Sequence, residues 1–109
     1  MNELLKSLGV LDEPIVQNLV KGYISTAANI SNNGLKVVAY DRDLRREQWL
    51  GEAFTNEKGY YEIAYKEESF VSPEKGLADL FIKVFDRADV LLAVSPVFFN
   101  APPVHQIDL

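Results

Sequence analysis

The sequence predicts an all-β domain, a sandwich of about seven short strands preceded by a short helical extension. Short segments of alternating hydrophobicity are separated by turn-forming residues at a spacing of roughly 8–12 residues, as in β-sandwiches. No strand–helix–strand alternation and no sequence repeat appears along the chain. The length of 109 residues and the hydrophobic content of 48% suit a single globular domain. We therefore expect an extension over residues 1–14 and a sandwich over residues 15–109.

The extension is predicted from an apolar stripe at helical spacing. Leu4, Leu5, Leu8 and Leu11 recur three or four residues apart, and Pro14 ends the pattern. A helix this short is marginal in water unless it packs on something. Two interpretations stay open: the helix lies on its own domain or frays, or its four leucines dock a protein partner or a neighbouring domain.

The first half of the sandwich begins where the apolar period changes from about four residues to two. Asn and Gly residues, which tolerate positive φ, mark its turns. The predicted elements are a long strand from Ile15 to Ser25, a turn at Ser31–Gly34, a strand at Leu35–Asp41, a loop or single helical turn at Leu44–Gln48, a strand at Trp49–Thr55 and a turn at Asn56–Gly59.

The second half contains the clearest strand, in which tyrosines alternate with other residues and favour a half-buried pleated surface. Two prolines before the last segment favour an edge position for the last strand. The predicted elements are a strand at Gly59–Tyr65, a connector at Glu67–Gly76, a strand at Leu77–Asp86, a turn at Arg87–Asp89, a strand at Val90–Val94, a break at Ser95-Pro96, a resumed strand at Val97–Phe99 and a last strand at Val104–Leu109.

Composition excludes several classes of function. The chain has no cysteine and a formal net charge of -5, which argues against disulfides, thiolate metal sites and nucleic-acid partners. It shows no secretory signal and no apolar run near the roughly 20 residues that span a bilayer, so no membrane insertion is expected. The location stays open between the cytoplasm and export by a specialised secretion route.

Three segments carry a resemblance to a known family. They are Val20–Ile24 with its Val-x-Gly element, Gly34–Val37, and Thr55–Ile63 with its Thr-x-x-x-Gly-x-Tyr signature. Together they resemble the transthyretin-like (prealbumin-like) domains, and among these the carboxypeptidase regulatory-like domains. The resemblance covers residues 16–109 and implies a seven-stranded Greek-key sandwich. On physical grounds we also expect a bulge or a close backbone approach at Gly22, a tight turn at Gly59, and a buried Tyr61 ring whose hydroxyl finds a partner.

Further segments, Tyr40–Arg45, Leu50–Ala53 and Phe98–Pro103, resemble a transthyretin-like subset inside large bacterial proteins, including insecticidal-toxin-complex-like and secretion-associated polypeptides. That resemblance implies a non-enzymatic accessory, spacer or adaptor domain. The chain stops at Leu109 directly after an apparent strand, so we expect a domain cut from a longer polypeptide or a last strand at an interface.

The sequence lacks the residue patterns that the catalytic sites considered for this fold require. The 5-hydroxyisourate hydrolases of this fold use several His and Arg residues and a characteristic tail, whereas this chain has His105 alone and ends Gln106-Ile107-Asp108-Leu109. Metallopeptidase chemistry lacks the ligands that a catalytic zinc needs. A triad of His105 with Ser69, Ser72 or Ser95 lacks a nucleophile-elbow pattern. We expect no enzyme activity and no cofactor.

The sequence offers two candidate binding sites, the first of which is a calcium site. Asp41, Asp43, Asp86 and Asp89 could gather oxygens for calcium, but neighbouring arginines make salt-bridged turns the simpler interpretation, and no metal is expected.

Aromatic residues on strands offer a second site, a small-ligand or carbohydrate platform at Trp49, Tyr60 and Tyr65, although packing is their commoner role. Exposed edge strands also allow pairing with a partner or a homo-oligomer.

Overall fold

The computed structural model describes residues 17–26, 31–42, 46–66 and 78–109, and this part of the chain forms two packed β-sheets. Seven strands build them, numbered here in chain order. They are β1 Gln17–Tyr23, β2 Lys36–Arg42, β3 Glu47–Phe54, β4 Tyr60–Lys66, β5 Leu80–Phe85, β6 Leu91–Val94 and β7 Val104–Gln106.

The smaller sheet has three strands in the order β4-β1-β7. β1 and β4 pair antiparallel, from Gln17 opposite Lys66 to Tyr23 opposite Tyr60. β1 and β7 pair in parallel, and backbone bonds from the amides of Ile107 and Leu109 to β1 carry this pairing past the end of β7. The last strand therefore lies at a sheet edge, as the prolines before it predict.

The larger sheet has four antiparallel strands in the order β3-β2-β5-β6. Its register shifts once between β2 and β3, at Ala39/Tyr40, and once between β5 and β6, at Val84/Phe85. Beyond β6, the Ser95 amide still donates to the Ile82 carbonyl of β5, and Phe98 exchanges two backbone bonds with Leu80. The predicted resumption of the strand after Pro96 thus amounts to one isolated bridge between Phe98 and Leu80.

The hydrophobic core lies between the two sheets and follows the two-residue period of the strands. Val37 and Ala39 of β2 and Leu80, Ile82 and Val84 of β5 all point inward and are fully buried. Inward residues of β1 and β4 face them. Alternation therefore assigns each strand one core face and one outer face.

The expected all-β sandwich is confirmed in the described residues. One local prediction is wrong: Glu47 and Gln48 belong to β3 and not to a loop, because they pair with Arg42 and Asp41 of β2. The predicted strand at Leu77–Asp86 is shorter, since it begins at Leu80. Residues 1–16, 27–30, 43–45 and 67–77, which include the predicted helix and connector, lie outside the described residues.

The predicted turns and glycine roles are confirmed. Gly34 and Gly59 close their turns at φ values of 76° and 83°. A Cβ at Gly59 would overlap the carbonyl oxygen of Ile24, and one at Gly22 would overlap that of Ile107. Tyr61 is buried and its hydroxyl donates to the Ile107 carbonyl at 2.7 Å. Among the described residues, no helix is long and apolar enough to cross a membrane.

Candidate interaction surface

The side of the four-stranded sheet that faces away from the core, called the outer face below, is built from three cross-strand rows. Each row contains residues that lie opposite one another on neighbouring strands. The rows are Trp49–Tyr40–Phe81, then Glu52–Val38–Lys83–Val94, then Phe54–Lys36–Phe85–Leu91.

The first row is aromatic throughout. The rings of Tyr40 and Phe81 stack with centroids 5.3 Å apart and an interplanar angle of 21°. Phe81 is only 2% exposed, whereas Trp49 at the end of the row is 53% exposed. The indole Nε1 of Trp49 donates to Glu52 at 3.4 Å. The row thus ends in a large, accessible aromatic surface on the edge strand β3.

Two lysines lie across rings of this face. The Lys83 ammonium lies 4.9 Å from the Tyr40 ring centroid and 3.0 Å from the Glu47 carboxylate. The Lys36 ammonium lies 5.2 Å from the Phe85 centroid and 3.0 Å from Asp89. The hydrogen bond to Asp89 raises the pKa of Lys36. Both cations therefore keep a carboxylate partner while their positive charge faces aromatic rings.

The rim of the outer face is apolar. Phe54 is 65% exposed, and Leu91 and Val94 are each about half exposed. An antiparallel sheet with one face in water normally alternates apolar residues inward with polar residues outward. Here apolar and aromatic residues occupy both faces. The outer face therefore has the composition of a surface that contacts another surface.

The outer side of the three-stranded sheet differs, because it is mostly polar. Its exposed residues include Glu62, Lys66, Gln106 and Asp108. Its aromatic pair, Tyr23 and Tyr60, has centroids 5.1 Å apart at a 55° tilt. The Tyr60 hydroxyl donates to Glu62 at 2.6 Å, and this bond raises the pKa of Tyr60 to about 12.

The structure does not bring the three predicted platform residues together. Trp49 pairs with Tyr40 on the outer face of the four-stranded sheet, whereas Tyr60 lies on the far side of the sandwich. Tyr65 points into the core and is 3% exposed, and burial raises its pKa to about 12. Of the three predicted platform residues, Trp49 alone lies on the outer face, where its exposed ring is next to other aromatic side chains.

The candidate aspartates hold backbone and side-chain partners. Asp41 is fully buried and its Oδ1 accepts from the Asp79 amide at 2.8 Å. Asp86 accepts from the amides of Ala88 and Val90 and so closes the turn before β6. Asp89 pairs with Lys36. Asp43 lies outside the described residues, and the residues that the structure does describe contain no group of three or more His, Cys, Asp or Glu placed to hold a metal.

The remaining candidates have structural surroundings or are not described. The Ser95 hydroxyl accepts from the Ile82 amide at 2.9 Å and donates to the Pro96 carbonyl, so it completes the strand ladder. The His105 ring packs on Phe98 at 4.9 Å. Ser69, Ser72 and the leucine stripe of the extension, Leu4, Leu5, Leu8 and Leu11, lie outside the described residues.

Sequence reasoning missed most of the outer face. The predicted sites omit Phe54, whose parity matches that of the core residue Leu50 because the register shifts at Leu50. They also omit Tyr40, Phe81 and Lys83, each of which lies at a position of opposite parity to the core residues of its strand. That parity is readable from the sequence. Their assembly into rows depends on the strand order and register, which the sequence does not show.

Comparisons with known proteins support the fold alone. No protein-family model and no curated protein matches the chain. Among solved structures, the crystal structure of a 9R-lipoxygenase from Cyanothece PCC8801 aligns with a TM-score of 0.63 and 19% identity. The alignment covers 95% of this chain and 18% of that chain, so this chain spans less than a fifth of the length of that protein.

Proposed function

We propose that this chain is a non-enzymatic accessory domain of a larger bacterial protein, which uses its outer face to bind a protein partner or a neighbouring domain. The fold we propose is the transthyretin-like Greek-key sandwich, acting as a spacer and adaptor. The observation that carries the proposal is the aromatic outer face, with its exposed rim of Trp49, Phe54, Leu91 and Val94.

The energetics of that face favour a contact role. Interface energy concentrates in aromatic residues that become desolvated, and large exposed apolar patches mark such contacts. Polar groups lie among the rings here, since Glu47, Glu52 and Asp89 bond Lys83, Trp49 and Lys36. A partner with apolar side chains would bury the exposed rings of the rim, while these polar groups keep their bonds to one another.

Residues of the family-like segments also support the fold assignment. Gly22, Gly59 and Tyr61 each have a role in the sandwich: a close backbone approach, a turn of positive φ and a buried hydroxyl donor. Thr55 is buried, and its hydroxyl accepts from the Leu35 amide at 2.9 Å. These roles support a transthyretin-like domain.

A photo-crosslinking experiment tests the proposed surface. A photoreactive phenylalanine analogue is placed at Phe54 or, as the control on the other side of the sandwich, at Glu62, in the full parent protein in its own cells. We expect a defined crosslink from position 54, inside the parent protein or to a second protein, and none from position 62. The Trp49→Lys variant should abolish that crosslink. Equal labelling from both positions, or no crosslink from position 54, would overturn the proposal.

A second candidate function rests on the exposed indole of Trp49 beside Tyr40, which suits stacking of a sugar or another small ring. Oligosaccharide titration followed by tryptophan fluorescence tests it directly, since Trp49 is the single tryptophan of the chain. A saturable spectral shift that Tyr40→Ala removes and Tyr60→Ala preserves would support this function. An unchanged spectrum at millimolar sugar would exclude it.

A further inference from the structure

Among the described strands, β6 has no counterpart in the opposite sheet. The larger sheet has four strands and the smaller has three. Central strands β2 and β5 carry fully buried inward residues, whereas none of the four residues of β6 is buried. The exposed side chains of β6 include Leu92, although aliphatic residues on a strand normally find a partner in the core.

An open cleft of about 250 Å³ lies between β6, the end of β5 and the residues that follow β1 and β7. Among its lining residues are Ile24, Thr26, Val84, Leu92, Ala93 and Leu109. Phe85 pairs with Leu91 and Val84 pairs with Ala93, so Leu92 is the extra residue of a bulge. A bulge lets two successive side chains turn to one side, and both Leu92 and Ala93 line the cleft.

The edge of the smaller sheet beside this cleft is an unpaired strand edge in the described part of the chain. The amides of Ile107 and Leu109 donate to β1. In a parallel pair the residues between them direct their backbone groups to the opposite side. The backbone groups of Val104, Gln106 and Asp108 therefore point away from β1, and β7 pairs with no other described strand.

The negative charge near the edge of β7 indicates which kind of strand would pair with it. Gln106 and Asp108 are exposed on the outer side, where the Gln106 amide bonds the Asp108 carboxylate at 3.1 Å. Ile107 points inward and is buried. A strand laid against β7 would direct alternate side chains toward the apolar cleft and toward Asp108. The chain itself carries a net charge of -5, so basic residues suit the outward positions.

We propose that the edge of β7 accepts an extended segment of a partner protein in which apolar and basic residues alternate. The segment forms a fourth strand opposite β6, donates and accepts backbone hydrogen bonds with Val104, Gln106 and Asp108, and places an aliphatic side chain against Leu92. This site is separate from the outer face, so it does not rest on the proposed function and either can fail alone.

The test uses a blocked synthetic peptide of alternating lysine and valine, about eight residues long to match a typical strand. Amide hydrogen exchange of the 109-residue chain is followed by NMR as peptide is added. We expect exchange at the amides of Val104, Gln106 and Asp108 to slow by about tenfold or more. A peptide with glutamate in place of lysine, and one with a central proline, should give no protection.

Variants locate the site. Asp108→Asn removes the charge but keeps an oxygen that can accept the hydrogen bond from the Tyr23 amide, which is 2.9 Å long in the original protein. This variant should bind the lysine–valine peptide about two- to threefold more weakly. Leu92→Lys should weaken binding of the same peptide about tenfold or more, because a charge would then face the peptide's valine side chain. Ala64→Lys adds the same charge at an exposed position of β4, the edge strand on the other side of β1 from β7, and is the matched control that should leave binding unchanged.

Three results would overturn the proposal. They are protection at β3 or β4 instead of β7, no protection at millimolar peptide, and slow exchange of the three β7 amides before peptide is added. The last result would show that another part of this chain or a second copy already covers the edge; its dependence on protein concentration separates the two. A crosslink from Phe54 would still stand in each case.

Discussion

At the scale of single residues, the attachment of the C-terminal strand depends on one glycine. Gly22 lies so close to the backbone of Ile107 that a Cβ would overlap that carbonyl oxygen and would approach Asp108 Oδ1 to 2.7 Å. The same carbonyl accepts the hydroxyl of Tyr61, and Asp108 Oδ1 accepts the amide of Tyr23. First and last strands are joined here through contacts that leave no room for a side chain.

We therefore expect Gly22→Ala to lower the free energy of unfolding by about 2–4 kcal/mol, because the overlap is with backbone and the two strands must separate. Urea denaturation measures the change. Gly34→Ala is the control: there φ is 76° but the nearest atoms belong to the Arg87 side chain, at 3.2 Å, so the cost should be about 1 kcal/mol. A smaller loss at Gly22 than at Gly34 would contradict this account.

At the scale of elements, Thr55 joins two turns that are far apart in sequence. Its backbone exchanges bonds with Gly34 and Leu35, each at 2.9 Å. Its hydroxyl accepts from the Leu35 amide at 2.9 Å and donates to the Asn32 carbonyl at 2.5 Å. The turn that precedes β2 is thus held by the residue that follows β3.

Thr55→Val should lower the free energy of unfolding by about 1–3 kcal/mol, because the buried Leu35 amide loses its acceptor while the side-chain volume is kept. Thr55→Ser retains the hydroxyl and should restore most of the loss. The difference in urea midpoint between the valine and serine variants measures the contribution of the hydroxyl. A valine midpoint equal to that of the original protein, with a lower serine midpoint, would show that the methyl group, and not the hydrogen bonds, matters at this position.

The sequence predicts the positions of the strands better than it predicts how the strands pair. Alternation and turn residues are local signals, and they predict the seven strands of the described residues to within a few positions. The polarity of Glu47 and Gln48 predicts a loop, but the two residues form a strand because they pair with β2. The parallel pairing of β1 and β7 joins residues some 85 positions apart, as in the bond of Tyr23 to Asp108, and no local pattern encodes it. The outer face escaped notice for the same reason, since Trp49, Tyr40 and Phe81 come from three strands.

At the scale of the whole molecule, the sandwich has two unlike outer surfaces and a core that holds tyrosines. The outer face of the four-stranded sheet is aromatic, while the other outer surface is mostly polar. Tyr61 and Tyr65 direct their rings between the sheets, and burial raises the pKa of both phenols. The charge of Asp41 adds to the increase for Tyr65, which reaches about 12.

These phenols should make the fold sensitive to alkaline pH. The unfolded chain loses phenolic protons near pH 10, whereas folded Tyr65 keeps its proton to about pH 12. Over that interval the unfolded state binds fewer protons, so the free energy of unfolding falls as the pH rises. Below pH 10 both states hold these protons and the phenols contribute no pH dependence. Lys36, whose pKa is also raised, acts in the same direction at high pH.

We therefore measure urea midpoints from neutral pH to pH 12. The contribution of these phenols to the midpoint should stay constant up to about pH 10 and then fall. Tyr65→Phe should reduce the slope above pH 10, whatever it does to the midpoint at neutral pH, because one linked proton is removed. Tyr60→Phe is the comparison: the bond to Glu62 that raises its pKa lies at the surface, where solvent screens it, so the slope should fall less than in Tyr65→Phe. If both variants kept the slope of the original protein, the alkaline loss would arise from groups outside the core, and the buried phenols would not limit stability.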